Sequence, residues 1–227
     1  MGLVYDRVGN LVRWAYDARI TAPPVLDLDI YFPNASKFTS AWREIRDEAL
    51  QLAAHLQSVP RFHELMQEQA AISANDGRDW RLFVLKAYGV EFPHNMAACP
   101  TLARLVAAAP DVLSAAISFL GPGKHIPAHR GPFRGVLRFY LVLSMPLLDD
   151  GKAAAVLRVA DQEYRIAEGD CLLWDDTYEH EVWNSSDRLR TVLLLDVQRR
   201  GMPLDLQLLS RFLIGMVGIG VRLRALN

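Results

Sequence analysis

Of the six histidines in this chain, two stand where a metal could use them. His129 lies in Gly121-Pro-Gly-Lys-His-Ile-Pro-Ala-His-Arg-Gly-Pro132, whose prolines and glycines exclude a helix, and His180 opens the run His180-Glu-Val-Trp183. Neutral imidazole suits iron, copper, zinc or nickel, and the mouth of a β-barrel gathers side chains from strands far apart in sequence. The bland alternative is that each is an ordinary polar residue closing a strand. His125 is not expected to join them, because four extended residues span about 13 Å, too far for two ligands of one ion.

Two arginines sharpen the picture. Arg138 interrupts an apolar stretch from Val136 to Leu143, and Arg190 precedes Thr191-Val-Leu-Leu-Leu195. A guanidinium threaded into such a segment needs a partner. Alternation puts Arg138, Tyr140 and Val142 on one face and Leu137, Phe139, Leu141 and Leu143 on the other, so Arg138 and Tyr140 point together into the barrel or to solvent. A hairpin around Asn184-Ser-Ser-Asp187 would set Arg190 directly opposite His180. With Ser118 on a preceding strand, the set suits a metal that binds a small dianionic acid through charge-assisted hydrogen bonds. Solvated arginines on an outer face are the alternative.

These residues need a frame, and the elements that would supply it are mostly strands. Val112–Leu120, Leu137–Met145, Ala153–Val159, Gln162–Ile166, Cys171–Trp174, His180–Trp183 and Thr191–Val197 are short β-branched or aromatic runs between turn-rich segments, the texture of a barrel or jelly roll. Upstream, Ala35 to about Gln57 predicts one amphipathic helix, 61–75 a second helical piece, Trp80–Leu85 a strand, and Pro100–Pro110 a short helix. The alternating Leu26-Asp-Leu-Asp-Ile30 predicts an extended strap.

The 227 residues, 51% apolar and 22% charged, predict a soluble globular chain with a sizeable core. A net charge of -1 gives no electrostatic case for nucleic acid. Cys99 and Cys171 form neither a zinc motif nor a disulfide framework, and the first ten residues carry no secretory pattern, so a cytoplasmic location is expected.

Four segments together resemble the aspartyl/asparaginyl β-hydroxylase family. They are Ser118-Phe-Leu-Gly-Pro-Gly-Lys-His-Ile-Pro-Ala-His129-Arg-Gly-Pro132, Gly135-Val-Leu-Arg138-Phe-Tyr-Leu141, Trp174-Asp-Asp-Thr-Tyr-Glu-His180-Glu-Val-Trp-Asn184 and Arg190-Thr-Val-Leu-Leu-Leu-Asp-Val197. The resemblance is dense over about 110–198 and weaker at Trp42–Glu48 and Trp80–Gly89. It implies a mainly β fold, a double-stranded β-helix of the jelly-roll or cupin kind with N-terminal helices packed on it. It implies an Fe(II)- and 2-oxoglutarate-dependent dioxygenase that inserts one atom of O2 into an unactivated C–H of a peptide side chain, a lipid acyl chain or a small molecule. Carried over by position, His129 and His180 become the iron ligands. Arg190 meets the distal carboxylate of 2-oxoglutarate with help from Ser118, and Arg138 approaches the cosubstrate from the neighbouring strand. Gly131 stands where most related oxygenases place a carboxylate ligand, a gap this family tolerates. Tyr140 stands where the family usually has a second histidine, which puts cosubstrate affinity in question. That departure favours the rival reading, a cupin-like module that binds a metal or small acid without turnover. A zinc hydrolase built on Asp175, Asp176 and Glu179 is a third reading, less well matched by the spacing.

The resemblance predicts a hydroxylase domain over 1–200, with helical support at about 35–110 and the β-helix at about 111–198, and leaves 201–227 as a separate tail. Over 199–227, Arg199, Arg200, Arg211, Arg222 and Arg224 oppose only Asp205, a formal excess of +4 beside many leucines. The longest uninterrupted apolar run, Phe212 to Val221, is too short to cross a bilayer as a helix. The tail reads as a helix docked on its own domain, as peripheral membrane contact or as a homodimer contact.

Overall fold

The structure, a computed structural model, describes residues 14–225. Ten strands carry the fold: β1 (Trp80–Ala87), β2 (Val90–Glu91), β3 (Val112–Leu120), β4 (His125–His129), β5 (Val136–Ser144), β6 (Ala155–Val159), β7 (Gln162–Tyr164), β8 (Cys171–Trp174), β9 (His180–Asn184) and β10 (Arg190–Gln198). They form a six-stranded sheet, β2-β1-β3-β10-β5-β8, and a four-stranded sheet, β4-β9-β6-β7. From β3 to β10 the chain passes repeatedly from one sheet to the other, which makes the molecule a double-stranded β-helix with helices packed outside it.

The alternation within β5 divides two cores. Leu137, Phe139, Leu141 and Leu143 join Phe32, Phe38, Ile45 and Ala49 between the large sheet and the helices. Tyr140 and Val142 join Leu120, Ile126, Leu157, Trp174, Val182 and Val192 between the two sheets. Arg138 and Tyr140 therefore face the interior of the β-helix. One buried acid ties the outer layer together: Glu48 accepts hydrogen bonds from the Thr101 and Leu102 backbone N–H groups, at 2.6 and 3.2 Å, at the start of the Pro100–Ala107 helix.

Several expectations need correction. The single helix expected from Ala35 breaks at Ala41 into Ala35–Ser40 and Trp42–Ala53, and 61–75 holds only the single turns Phe62–Leu65 and Ala70–Ser73 with a 3-10 turn between them. The strap at Leu26–Ile30 is interrupted by a helical turn, Leu28–Tyr31, because the Asp27 carboxylate accepts from the Asp29 and Ile30 N–H groups and caps it. Strand β4 was not expected, since Pro127 lies inside it; it is an edge strand, where a missing N–H is tolerated.

The hairpin between β9 and β10 does not form. β9 pairs with β4 and β6, β10 pairs with β3 and β5, and 184–187 is the corner where the chain changes sheet. Asn184 holds that corner by donating to Gly121 O at 3.0 Å and Arg188 O at 2.7 Å while accepting from the Ser186 hydroxyl at 2.7 Å. The tail is also longer than its apolar run implies. Leu204–Ala225 is one helix of 22 residues, about 33 Å, long and apolar enough to cross a membrane by length and composition.

Candidate functional site

Opposite ends of β4 and β9 bring the two imidazoles together. The register runs His125↔Trp183 and Ile126↔Val182, then shifts so that His129 lies opposite His180, a bulge that places one extra residue on β4. The ring centroids are 4.1 Å apart. Each ring is anchored by the carbonyl two residues before it: His129 Nδ1 lies 2.8 Å from Pro127 O and His180 Nδ1 3.0 Å from Tyr178 O. A carbonyl only accepts, so Nδ1 carries the proton and each Nε2 keeps its lone pair for a metal. Burial pushes both histidines below their ordinary range, His180 to about 3 with the neighbouring His129 adding to the effect, so both rings are neutral near pH 7. His125 is turned elsewhere, with Nε2 2.6 Å from Glu181 Oε1.

The inner face of the large sheet supplies the rest. Arg190 pairs with Leu120 and Val192 with Ser118, and since directly opposed residues share a face, Ser118 and Arg190 both point between the sheets. Arg190 is 2% exposed and its Nε and Nη1 have no hydrogen-bond partner among the described residues. Its guanidinium lies 5.6 Å from the centroid of the Tyr140 ring. Burial drives the Arg190 pKa down, partly opposed by Tyr140, and raises that of Tyr140. Ser118 is buried and its Oγ accepts from Trp80 Nε1 at 3.1 Å.

Arg138 shares this face but is already neutralised. Its Nε and Nη2 lie 3.0 and 2.8 Å from Asp196 Oδ1, and Nη2 lies 3.5 Å from Asp176 Oδ2. The structure thus separates two arginines that the sequence presents alike: one holds carboxylates of its own chain, and the other holds none among the described residues.

Gly131 explains where the missing side chain went. A Cβ built there would lie 2.2 Å from Asp176 Cγ and Oδ1, so the Asp176 carboxyl occupies the space a residue at 131 would need. The Gly131 N–H donates to Asp176 O at 2.7 Å and fixes the approach. Burial pushes the Asp176 pKa up to about 7, with Arg138 pulling the other way, and its Oδ1 has no hydrogen-bond partner.

Asp175 is structural, accepting from the Thr177 hydroxyl at 2.6 Å and pairing with Arg199 at 2.5 Å, while Glu179 is largely exposed. No group of three or more His, Cys, Asp or Glu converges to hold an ion among the described residues. A closed structural zinc site is therefore not built among the described residues; two imidazoles fit an ion that keeps positions open for other ligands.

Five buried side-chain polar atoms lack a hydrogen bond among the described residues: Arg46 Nε, Trp174 Nε1, Asp176 Oδ1, and Arg190 Nε and Nη1. Trp174 stacks edge-on to His180 at 6.1 Å and lies 5.9 Å from Tyr140, so it and Arg190 flank one space between the sheets. Sequence reasoning missed Trp174, and gave Asp176 only to the zinc reading. The one available signal for them was their position six and four residues before His180.

A sequence profile described as Aspartyl/Asparaginyl beta-hydroxylase matches residues 39–200. The chain is similar, at 37% identity over 82% of its own length, to a Rhizobium tropici protein named ornithine lipid ester-linked acyl 2-hydroxylase, and spans 66% of that protein. It is 27% identical over 71% of its length to human aspartyl/asparaginyl beta-hydroxylase, of which it spans 22%. Among solved structures, a Pseudomonas putida prolyl-4-hydroxylase aligns over 72% of this chain and 88% of its own, with a TM-score of 0.44 and 15% identity.

Proposed function

This chain belongs to the aspartyl/asparaginyl β-hydroxylase family, and from that premise we propose that it is an Fe(II)- and 2-oxoglutarate-dependent hydroxylase acting on the acyl chain of a lipid. The observation that carries the reading is Arg190, a buried guanidinium without a carboxylate on the same interior face as Ser118 and Tyr140. An unpartnered buried cation is expensive, and a site that keeps one is complementary to an anion that arrives from outside.

His129 and His180 would hold iron through Nε2, with their carbonyl contacts fixing the tautomer before the ion arrives. Arg190 would take the far carboxylate of 2-oxoglutarate, with the Ser118 hydroxyl two residues along the adjoining strand. Arg138, held by Asp196 and Asp176, keeps its charge at home and lines the pocket rather than closing on the cosubstrate. When bound, iron and 2-oxoglutarate supply oxidation of an unactivated C–H by dioxygen. The apolar walls between the sheets, which include Trp174, Tyr140 and Val182, would limit the access of water to that chemistry.

The acyl substrate is favoured by the Rhizobium tropici relative, whose name specifies a lipid acyl 2-hydroxylase. The binding-module alternative rests on Tyr140, which here lies beneath the Arg190 guanidinium. One experiment separates them: purified protein with Fe(II), labelled 2-oxoglutarate and a bacterial lipid extract, with and without O2. Dioxygen-dependent labelled succinate with a lipid product heavier by one oxygen is expected. Tight 2-oxoglutarate binding with no succinate would establish the module.

A further inference from the structure

The helix Leu204–Ala225 has one face packed on the domain and one face that nothing covers among the described residues. On the packed side, Leu206 and Ser210 are buried, and the Ser210 hydroxyl lies 2.6 Å from Tyr16 Oη. A Cβ at Gly218 would sit 2.6 Å from the Tyr88 carbonyl oxygen, and one at Gly135 would sit 2.4 Å from Ser210 Oγ. These contacts fix the helix sideways against the domain over more than two turns.

The opposite side carries Leu204, Leu208, Phe212, Met216 and Ile219, all more than half exposed, with Leu208 and Phe212 at 64% each. At about 100° per residue these five fall within an arc of about 120°, so they form a continuous stripe rather than scattered exposures. A patch of this kind on a water-soluble fold marks a contact surface. Its charge identifies the occupant. Arg211 and Arg222, both exposed, fall on one edge of the same arc, and the one acid of the helix, Asp205, is paired with Arg19.

We propose that this stripe docks the protein, helix axis in the membrane plane, onto an anionic phospholipid bilayer. The apolar side chains enter the acyl boundary while Arg211 and Arg222 reach headgroup phosphates. Crossing the bilayer would require the helix to leave Tyr16, Gly135 and Tyr88, whereas lying flat keeps every one of those contacts. Self-association through the stripe would have to place Arg211 and Arg222 of both copies against carboxylates, and the helix carries only Asp205, already paired with Arg19.

The placement also bears on the site, a point that rests on the proposed function. The packed face of the helix touches the segment that follows Gly131, and it touches the backbone of Tyr88, whose ring lies in the field of Arg138, Asp176 and Asp196. Docking through the stripe therefore leaves the edge of the candidate site one helix diameter, about 10 Å, from the lipid surface.

The test uses the full chain and flotation with vesicles of phosphatidylglycerol and phosphatidylcholine, or of phosphatidylcholine alone, at about 0.05 and about 0.5 M salt. Flotation with the anionic vesicles, weakened by salt, is expected. The triple variant Leu208→Ser, Phe212→Ser and Ile219→Ser should lower the partition coefficient by about tenfold or more. The pair Arg211→Glu and Arg222→Glu should abolish the preference for phosphatidylglycerol, which keeps the test valid should the serine variant unfold. The proposal is overturned if the wild-type chain stays at the bottom of the gradient, or if it is a dimer that the triple variant converts to monomer without any flotation. Resistance to alkaline carbonate extraction would indicate a spanning helix, and flotation only after removal of residues 1–13 would assign the stripe to that segment; either overturns flat docking. Succinate formation is measured separately, so loss of hydroxylase activity and loss of docking are told apart.

Discussion

Replacing Arg190 by methionine should strengthen the empty protein and blind it to 2-oxoglutarate. The guanidinium is 2% exposed with two N–H groups unsatisfied, so it contributes desolvation without a compensating carboxylate. Exchanging buried ions for apolar groups of similar volume stabilises by about 1–4 kcal/mol, and loss of the contact with the Tyr140 ring takes back up to about 2 kcal/mol. At the middle of these ranges a net gain of about 1–2 kcal/mol remains, a rise in Tm of about 2–8 °C for a chain of this size. In the wild type, 2-oxoglutarate at about one hundred times its Kd should add about 2.7 kcal/mol. In Arg190→Met the same concentration should add almost nothing, because a buried carboxylate without its counter-ion loses about 3–5 kcal/mol. Urea unfolding of both proteins, under nitrogen and with or without 2-oxoglutarate, measures all four quantities. Arg138→Met is the control with the opposite sign, since it strips Asp196 and Asp176 of their cation and destabilises the empty protein. A destabilised Arg190→Met protein that still responds fully to 2-oxoglutarate would refute the assignment of Arg190 as an anion receptor.

Three further outcomes are expected. His129→Ala and His180→Ala should each abolish stoichiometric Fe(II) binding measured by metal analysis, whereas His125→Ala, which removes only the contact with Glu181, should retain it. Gly131→Ala should cost about 1–3 kcal/mol in denaturant unfolding because its Cβ meets the Asp176 carboxyl, and Asp176→Ala in the same chain should recover most of that loss; simple additivity would mean the two positions do not share space. Burial alone would raise the Asp76 pKa, but bonds from Lys124 and the His125 and Arg78 N–H groups hold it below the usual carboxylate range. Its contribution is therefore present above the unfolded pKa near 4 and is lost as pH falls through the folded value, so Asp76→Asn should flatten the acid side of the stability profile; an unchanged acid limb would discount this contact.

How much of this could be read from residues alone follows the range of each interaction. Near-continuous apolar strands such as Val112–Leu120 and Cys171–Trp174 were legible to the residue because both of their faces bury side chains. β4 was not, because Pro127 argues locally against a strand and only the edge position makes it acceptable. The supposed hairpin after Asn184 failed for a related reason: turn composition fixes that the chain bends, but not which sheet it enters next. Counting uninterrupted apolar residues shortened the terminal helix, because arginines at 211 and 222 break the run without breaking the helix. At the site, the residue types were legible and their pairing was not. Nothing local to Arg138 reveals that Asp196, 58 positions away, accepts two of its hydrogen bonds.

That pairing is what gives the site a direction. This fold satisfies buried cations where it can: Lys124, fully buried, donates to Ser73 O, Asn75 Oδ1 and Asp76 Oδ1, each at 2.6 Å, and Arg199 meets Asp175. Carboxylates are not scarce in the interior either, since Asp175, Asp176 and Asp196 are buried or nearly so. Asp176 and Asp196 gather with Arg138 near Gly131, Asp175 pairs with Arg199 and Arg134, and among the described residues none is paired with Arg190. One end of the inner face thus holds more acid than base beside two lone-pair nitrogens, and the other holds a guanidinium with two N–H-bearing atoms unsatisfied among the described residues. A divalent cation at the imidazoles answers the first imbalance, and a carboxylate at Arg190 answers the second. A small dicarboxylic acid that binds a metal at one end while presenting its other carboxylate to Arg190 answers both at once. Neither a cation alone nor a monocarboxylate alone would do so. Titrating glutarate, a dicarboxylate without the keto group, should therefore give partial stabilisation that depends on Arg190 but not on His129, and independence from Arg190 would break this account of the charge pattern.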